Sequence, residues 1–281
     1  MFIPKKISEL QFYDNVMFSE VMKDEEICKG VLELCLRRKI SKIVYKQSES
    51  AFYNSMSSKS IRFDVYLEDS DTVYDIEMQC YLSRSIEKRV RYYQSSIDYD
   101  NLKKGASYKN LKDSYVIFIC KSDPFRCGFP SYEVKSYLES ERIKDGITES
   151  LKKEYKDGSH ILFFNATAYK EERDDALRAF LEYVHSGEVS DNFTKKLEEK
   201  VEQLKLEDEH QAFYDKYKDW YYQDIIDDVK EESIKKGIFQ GKEEGKKETI
   251  LETAKKMKEL GIEPDLIVNV SGLSKDEIEA L

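Results

Sequence analysis

At 281 residues the chain has room for one sizeable core and a smaller appendage. A charged fraction of 36% and a mean hydropathy of -0.66 mark a strongly solvated protein, and no apolar run approaches the roughly 18 residues that span a bilayer. The net charge of -10 excludes a chain that coats nucleic acid through its overall charge.

The start, MFIPKKISELQFYDN, has no apolar core of the signal-peptide kind, so a cytoplasmic location without membrane contact is expected. Val16, Met17, Val21, Ile27, Val31, Leu32, Leu34 and Leu36 recur at helical spacing and predict one or two helices, with Asp14 as N-cap. SKIVYKQSESAF reads as a short strand, and residues 61–80 as a β-hairpin. RSIEKRVRYYQSSIDYDNLKKG predicts a long helix ending near Gly105. SYVIFIC is a continuous apolar run of the kind a buried central strand carries. An irregular stretch holding Pro124 and Pro130 follows, then a strand at SHILFFNAT and a helix closing near Gly187. Cys28, Cys35, Cys80, Cys120 and Cys127 lack C-x-x-C spacing and read as buried free thiols of a reducing cytoplasm.

This order predicts an α/β domain over residues 1–187, a mixed sheet flanked by helices. Residues 188–281 are charge-rich and predict an all-α extension. There Gly237, Gly241 and Gly245 are four residues apart, on roughly one helix face, which suits either close approach of a partner helix or a loose exposed helix. Gly261 and Gly272 stop short helices, and Ser274 with Glu277 forms a capping box for the last one. The tail has few cations, so protein contact suits it better than DNA reading, and self-association through these helices is expected.

The hairpin RFDVYLEDSDTVYDIEMQ holds the chemistry. With Ser70 and Asp71 as the central turn residues, Asp64 faces Glu77, Tyr66 faces Asp75 and Arg62 faces Gln79. Phe63, Val65 and Leu67 with Tyr74, Ile76 and Met78 make the other face apolar. Opposed carboxylates starting about 5 Å apart repel when partly buried, so a positive charge is expected between them. Mg2+ suits two carboxylates, the Met78 backbone carbonyl and phosphate oxygens, and Gln79 projects on the same side to orient water or contact phosphate. The alternative is a solvent-facing hairpin with ordinary surface acids.

From Tyr81 to Lys121 nine Lys/Arg stand against four acids, a local excess of five positive charges that suits phosphate contact or a solvated helix face. Arg91, Gln94 and Asp98 share a helix face with Lys88; Lys88, Arg89, Arg91 and Gln94 are the candidate nucleic-acid contacts, a salt bridge being the alternative for Arg91. Tyr92 and Tyr93 either stack on bases or pack in the core. No Walker loop, G-x-G-x-x-G, G-x-S-x-G or Cys/His metal spacing is present.

The hairpin resembles the core of the PD-(D/E)XK nuclease superfamily. VYDIEMQ, KRVRYYQSSID, LKKGASYKNLKDSYVIFIC and ILFFNAT, within residues 12 to 186, resemble the Rpn (recombination-promoting nuclease/putative transposase) family. The glycine-spaced helix and the SGLSKDEIEAL tail resemble the extension common in that family. The resemblance implies a restriction-endonuclease-like α/β fold and a Mg2+-dependent DNA endonuclease, with Mn2+ as a substitute, linked to recombination or defence against foreign DNA. It implies Asp64 and Glu77 as metal ligands, and Gln79 in the place of the superfamily's lysine. It also implies an acid from the first helix, for which Glu20 is the candidate, with Glu25 or Glu26 behind. Gln79 carries no charge with which to stabilise an anion, which leaves a catalytically weak nuclease-fold regulatory or protein-binding module as the alternative.

Overall fold

The computed structural model describes residues 5–40, 43–45, 51–52, 61–62, 64–81, 85–144, 147–212, 214–215, 218, 234, 241–242, 245–258, 261 and 263–280. Two compact units are present, Met1–Tyr222 and Gln223–Leu281.

The first unit begins with helices α1 (Asn15–Val21) and α2 (Glu25–Leu36) and short strands β1 (Val44–Tyr45), β2 (Ala51–Phe52) and β3 (Ile61–Arg62). Strands β4 (Val65–Glu68) and β5 (Thr72–Gln79) form the hairpin, and helix α3 (Ile86–Asn101) connects β5 to β6 (Asp113–Cys120). Strands β7 (Ser131–Val134), β8 (Tyr137–Lys144), β9 (Ile147–Glu154) and β10 (Ser159–Asn165) follow, then α4 (Asp175–Ser186) and α5 (Asn192–Leu206). Among the described residues the main sheet has the order β1-β4-β5-β6-β10-β7. The pairs β5–β6 and β6–β10 are parallel and the others antiparallel, so the sheet is mixed.

The hairpin has the register expected from its turn. Val65 pairs with Ile76, Tyr66 with Asp75 and Leu67 with Tyr74, and the Asp69 amide donates to Thr72 O at 2.9 Å across Ser70 and Asp71. The ladder ends at Val65, however, and Arg62 pairs with Ala51 in β3–β2 rather than with Gln79; Phe63 lies outside the described residues. Both faces of β5 are buried, because α3 crosses the acid-bearing face. Ile86, Val90, Tyr93 and Ile97, spaced at one helix stripe, pack on Tyr66, Val73, Val116 and Phe118. β6 is the buried central strand that its apolar run predicts.

On the helical side, Asp24 caps α2 by accepting the Glu26 and Ile27 amides, and Asp174 caps α4 through the Leu177 amide. Asp14 holds the N-cap position of α1, but its carboxylate takes the Gln11 amide and Lys5 Nζ instead. Phe12 packs edge-on against Phe18 and Phe180, joining α1 to α4. Helix α5 buries Leu197, Val201 and Leu204 and packs on α1, α2 and α4, so the first unit continues past Gly187.

The stretch expected to be irregular before β10 contains β7 and a separate two-stranded sheet, β8–β9. Its residues are charged or polar with scattered apolar ones, so no core-facing alternation marks them in the sequence. Cys127, in the same stretch, is exposed rather than buried.

In the second unit, helical residues 245–258 and helices Pro264–Ser271 and Lys275–Glu279 gather Ala254, Ile267 and Ile278 into a small core. Gly272 at φ 72° ends the middle helix, and the Ser274–Glu277 capping box opens the last. Among the described residues a Cβ at Gly241 or Gly245 meets nothing within 4 Å; Gly237 lies outside them. Among the described residues no helix is long and apolar enough to cross a membrane.

Candidate active site

Asp64 sits one residue before β4, and Glu77 is two residues from the end of β5. Each clamps the other's strand through a backbone amide: Glu77 Oε1 accepts the Asp64 N–H at 2.9 Å, and Asp64 Oδ2 accepts the Met78 N–H at 3.0 Å. These bonds replace the ladder past Val65 and hold the two acids together at the point where the strands part. In a strand the N–H and C=O of one residue point to the same side. The Met78 carbonyl therefore faces the side on which Asp64 stands. The parallel strands β5 and β6 end together here, Gln79 beside Cys120, and α3 leaves from this end. Ligands of open α/β sheets gather at such carboxyl ends.

The acids are not solvated surface groups. Glu77 and Asp75 are fully buried, and Asp64 nearly so. Arg89 on the first turn of α3 reaches them: Nη2 lies 3.1 Å from Glu77 Oε2, Nη1 donates to Gln79 Oε1 at 2.9 Å, and both Nη2 and Nε donate to the Tyr93 hydroxyl. Its guanidinium also lies over the Tyr93 and Phe118 rings, 5.2 and 5.6 Å from their centroids. Gln79 completes the chain by donating to Tyr81 O.

Burial, and then the field of Asp64, push Glu77 up to about 8 despite the opposing field of Arg89 and the Asp64 amide. Burial, and then the charge of Glu77, push Asp75 well above the usual carboxylate range. Among the described residues neither oxygen of Asp75 meets a hydrogen-bond donor. A proton on Asp75 turned toward Glu77 relieves both groups. Arg89 stays charged although burial opposes it, because Tyr93 and Glu77 favour the cation.

The other expected site residues are distributed differently. Glu20 is buried, but its oxygens take Lys23 Nζ at 2.7 Å and lie 3.3 Å from His210 Nδ1, beside the apolar side chains of Leu10, Met17 and Leu204. It is thus engaged where α1 meets the chain after α5, not with the hairpin acids. Glu26 pairs with Lys196 on α5, and Glu25 is exposed. Arg91, two positions from Arg89 and so about 200° around the helix, points outward with Lys88, and both are exposed. Gln94 donates to Ser114 on β6, so it braces α3 on the sheet rather than reaching the acids. Tyr93 is core and Tyr92 exposed.

One cluster goes beyond the expected set. Cys80 Sγ donates toward Tyr13 O and Asn15 Oδ1, tying the end of β5 to the start of α1, and the charges of Asp14 and Asp64 both act on it. Lys121, whose amide donates to Gln79 O, lays its Nζ 2.9 Å from the Tyr13 ring centroid, with Lys5 5.1 Å from the same ring. In the sequence Lys121 is marked by its place just after a buried strand, at the end of the basic run that begins at Tyr81.

The donor set suits a hard divalent cation. Among the described residues no three His, Cys, Asp or Glu side chains form a metal group, but Mg2+ asks for only one or two carboxylates beside carbonyl, water and phosphate oxygens. Asp64, Glu77 and the Met78 carbonyl offer that, and a raised Glu77 with an unsatisfied Asp75 behind it describes a floor short of positive charge.

No curated protein and no solved structure matches the chain. Residues 12–225 match the family model described as the PD-(D/E)XK nuclease family transposase, a span that contains the hairpin, α3, the whole six-stranded sheet and α5. Family and site agree in pointing to nuclease-type chemistry: the chain belongs to the PD-(D/E)XK nuclease family transposases.

Proposed function

We propose that the chain is a Mg2+-dependent endodeoxyribonuclease that hydrolyses phosphodiester bonds, in recombination or in defence against foreign DNA. One observation carries this reading: Asp64 and Glu77 are buried together at the end of the hairpin and locked by reciprocal amide bonds. Fixed carboxylates lose little freedom when they take up a cation, and their burial strengthens every charge interaction they make. A bound Mg2+ supplies Lewis-acid polarisation of the phosphodiester and lowers the pKa of a bound water. Asp64, Glu77 and the Met78 carbonyl would hold it. Arg89 steadies Glu77 and fixes the Gln79 amide at the mouth of the site, and the exposed Lys88 and Arg91 suit contact with the DNA backbone.

A second reading, a weakly catalytic nuclease-fold module, is favoured by the engagement of both Glu77 oxygens and both ends of the Gln79 amide within the protein. Supercoiled plasmid incubated with the purified chain and Mg2+ separates the two. Nicking that is lost with EDTA and in Asp64→Ala and Glu77→Ala supports the enzyme. Equal residual nicking in all of these samples supports the module.

A further inference from the structure

The hairpin β8–β9 lies outside the core of the first unit. It forms a sheet of its own, and every residue of its strands except Glu154 is exposed. Ile143, Ile147 and Leu151 are 79%, 67% and 52% exposed. An isolated two-stranded sheet is at best marginally stable in water, and the ion pairs across this one, Arg142–Glu149 and Lys152–Glu139, are of the exposed kind that adds little. Among the described residues its outer edges pair with no other strand, so they offer amides and carbonyls to one.

We propose that β9 pairs antiparallel with β9 of a second copy of the chain, with Leu151 facing Leu151 of the partner subunit on the two-fold axis. The inference does not depend on the nuclease reading. Geometry limits the registers first. The Tyr155 amide donates to Ser136 O at 2.8 Å across directly opposed positions of the hairpin. Hydrogen-bonded and non-bonded pairs alternate along an antiparallel ladder. Leu151, opposite Ser140, therefore turns its amide inward, and the outer edge of β9 presents Thr148, Ser150, Lys152 and Glu154. Opposed residues share a face, so two copies related by a two-fold axis must centre their pairing on one residue.

Charge then selects among the centres. Centring on Lys152 opposes two lysines, and centring on Glu149 opposes two glutamates. Centring on Ser150 sets Ile147 against Lys153 of the partner subunit and Glu149 against Leu151 of the partner subunit. Centring on Leu151 sets leucine on leucine, Glu149 against Lys153 of the partner subunit and Ser150 against Lys152 of the partner subunit, with no like charges opposed. Opposite-charge and apolar pairs at these positions stabilise a sheet and like charges destabilise it. The outer edge of β8 fares worse: centring on Glu139, Ser140 or Glu141 opposes two glutamates, centring on Arg142 or Ile143 opposes two cations, and centring on Leu138 pairs only residues 137–139 of the strand. One edge is thus guarded and the other is self-complementary, and the product is a four-stranded sheet β8-β9-β9-β8 that gives the hairpin the strands it lacks.

The test uses the full-length chain carrying Cys127→Ser, which removes the exposed native thiol. Leu151→Cys and Thr148→Cys are each oxidised mildly and run on non-reducing gels. In the proposed register the two sulfurs at 151 are directly opposed, whereas those at 148 lie about six residues, roughly 20 Å, apart along the strands. A covalent dimer at 151 and none at 148 is expected. Adding Glu149→Lys to Leu151→Cys should cut its cross-linking several-fold, and adding Lys153→Glu as well should restore it. No dimer at 151, equal dimer at both positions, or a yield indifferent to the charge changes overturns the proposal. Self-association through the C-terminal helices alone gives the first of these results.

Discussion

Raising the pH from 4.5 to 8 in the presence of EDTA should destabilise this protein, because Glu77 and Asp75 both hold protons in the fold that they release on unfolding. The Glu77 carboxyl has an ordinary value of 4.5 and is pushed up to about 8 in the fold by burial and by Asp64. Between those values the folded chain keeps a proton that the unfolded chain releases. Stability is therefore full below pH 4.5 and is lost progressively as the pH climbs through about 8. At about 1.4 kcal/mol per unit the ceiling is about 5 kcal/mol. At about 2–4 °C per kcal/mol for a chain of this size, that is about 10–20 °C in Tm. Thermal unfolding followed by circular dichroism across this range, for the wild type and Glu77→Gln, reads the effect as the difference between two slopes. The amide cannot ionise, so the variant should lose less stability with pH, whatever its absolute Tm. Mg2+ added at pH 8 should then raise the wild-type Tm and leave that of Glu77→Gln nearly unmoved. Parallel pH profiles, or an equal gain from Mg2+ in both proteins, would refute the assignment of Glu77 as a buried acid short of positive charge.

Arg89→Met removes the guanidinium that touches Glu77, Gln79 and Tyr93; with the side chain 28% exposed, the cost should be about 2–4 kcal/mol in urea unfolding. Arg89→Lys should recover only part of this, because one ammonium cannot serve three fixed acceptors as the planar fork does. Glu20→Gln should leave plasmid nicking within a few-fold of wild type while Asp64→Asn abolishes it, since Glu20 is bound to Lys23 and His210. Gly30→Ala drives a Cβ into the Phe193 ring, where α2 meets α5, and should cost about 1–3 kcal/mol; Phe193→Leu in the same background should return part of it.

What could be read from the sequence follows from which forces act locally. The register of β4 with β5 was readable because a two-residue turn and a period of two fix each other, and one slip would reverse every side chain. The strand β6 was readable from its unbroken apolar run. Helix α3 was readable as an element but not in phase. Arg91, Gln94 and Lys88 form a plausible polar face, yet the helix is rotated by Val90, Tyr93 and Ile97 seeking the sheet, and this carries Arg89 to the acids and Arg91 to solvent. Glu20 misled because its partner, His210, is 190 residues away in the chain. The hairpin β8–β9 left no trace because its pattern answers to no core among the described residues of its unit.

The cation expected between the opposed acids takes a different form for the same physical reason. Two carboxylates clamped by each other's strand amides cannot move apart, so the fold must supply positive charge from another element, and it does so with Arg89 from the helix that covers them. One guanidinium is not enough: Glu77 remains pushed up, and Asp75 behind it has no donor among the described residues. A floor neutralised further would bind a metal weakly, since the carboxylates would have less to gain from it. A floor with no Arg89 would hold its protons more tightly still and yield them to a metal only at higher pH. The arrangement lies between these limits, with the acids held ready and only partly compensated, and this links the packing of α3 on the hairpin to the chemistry of the site.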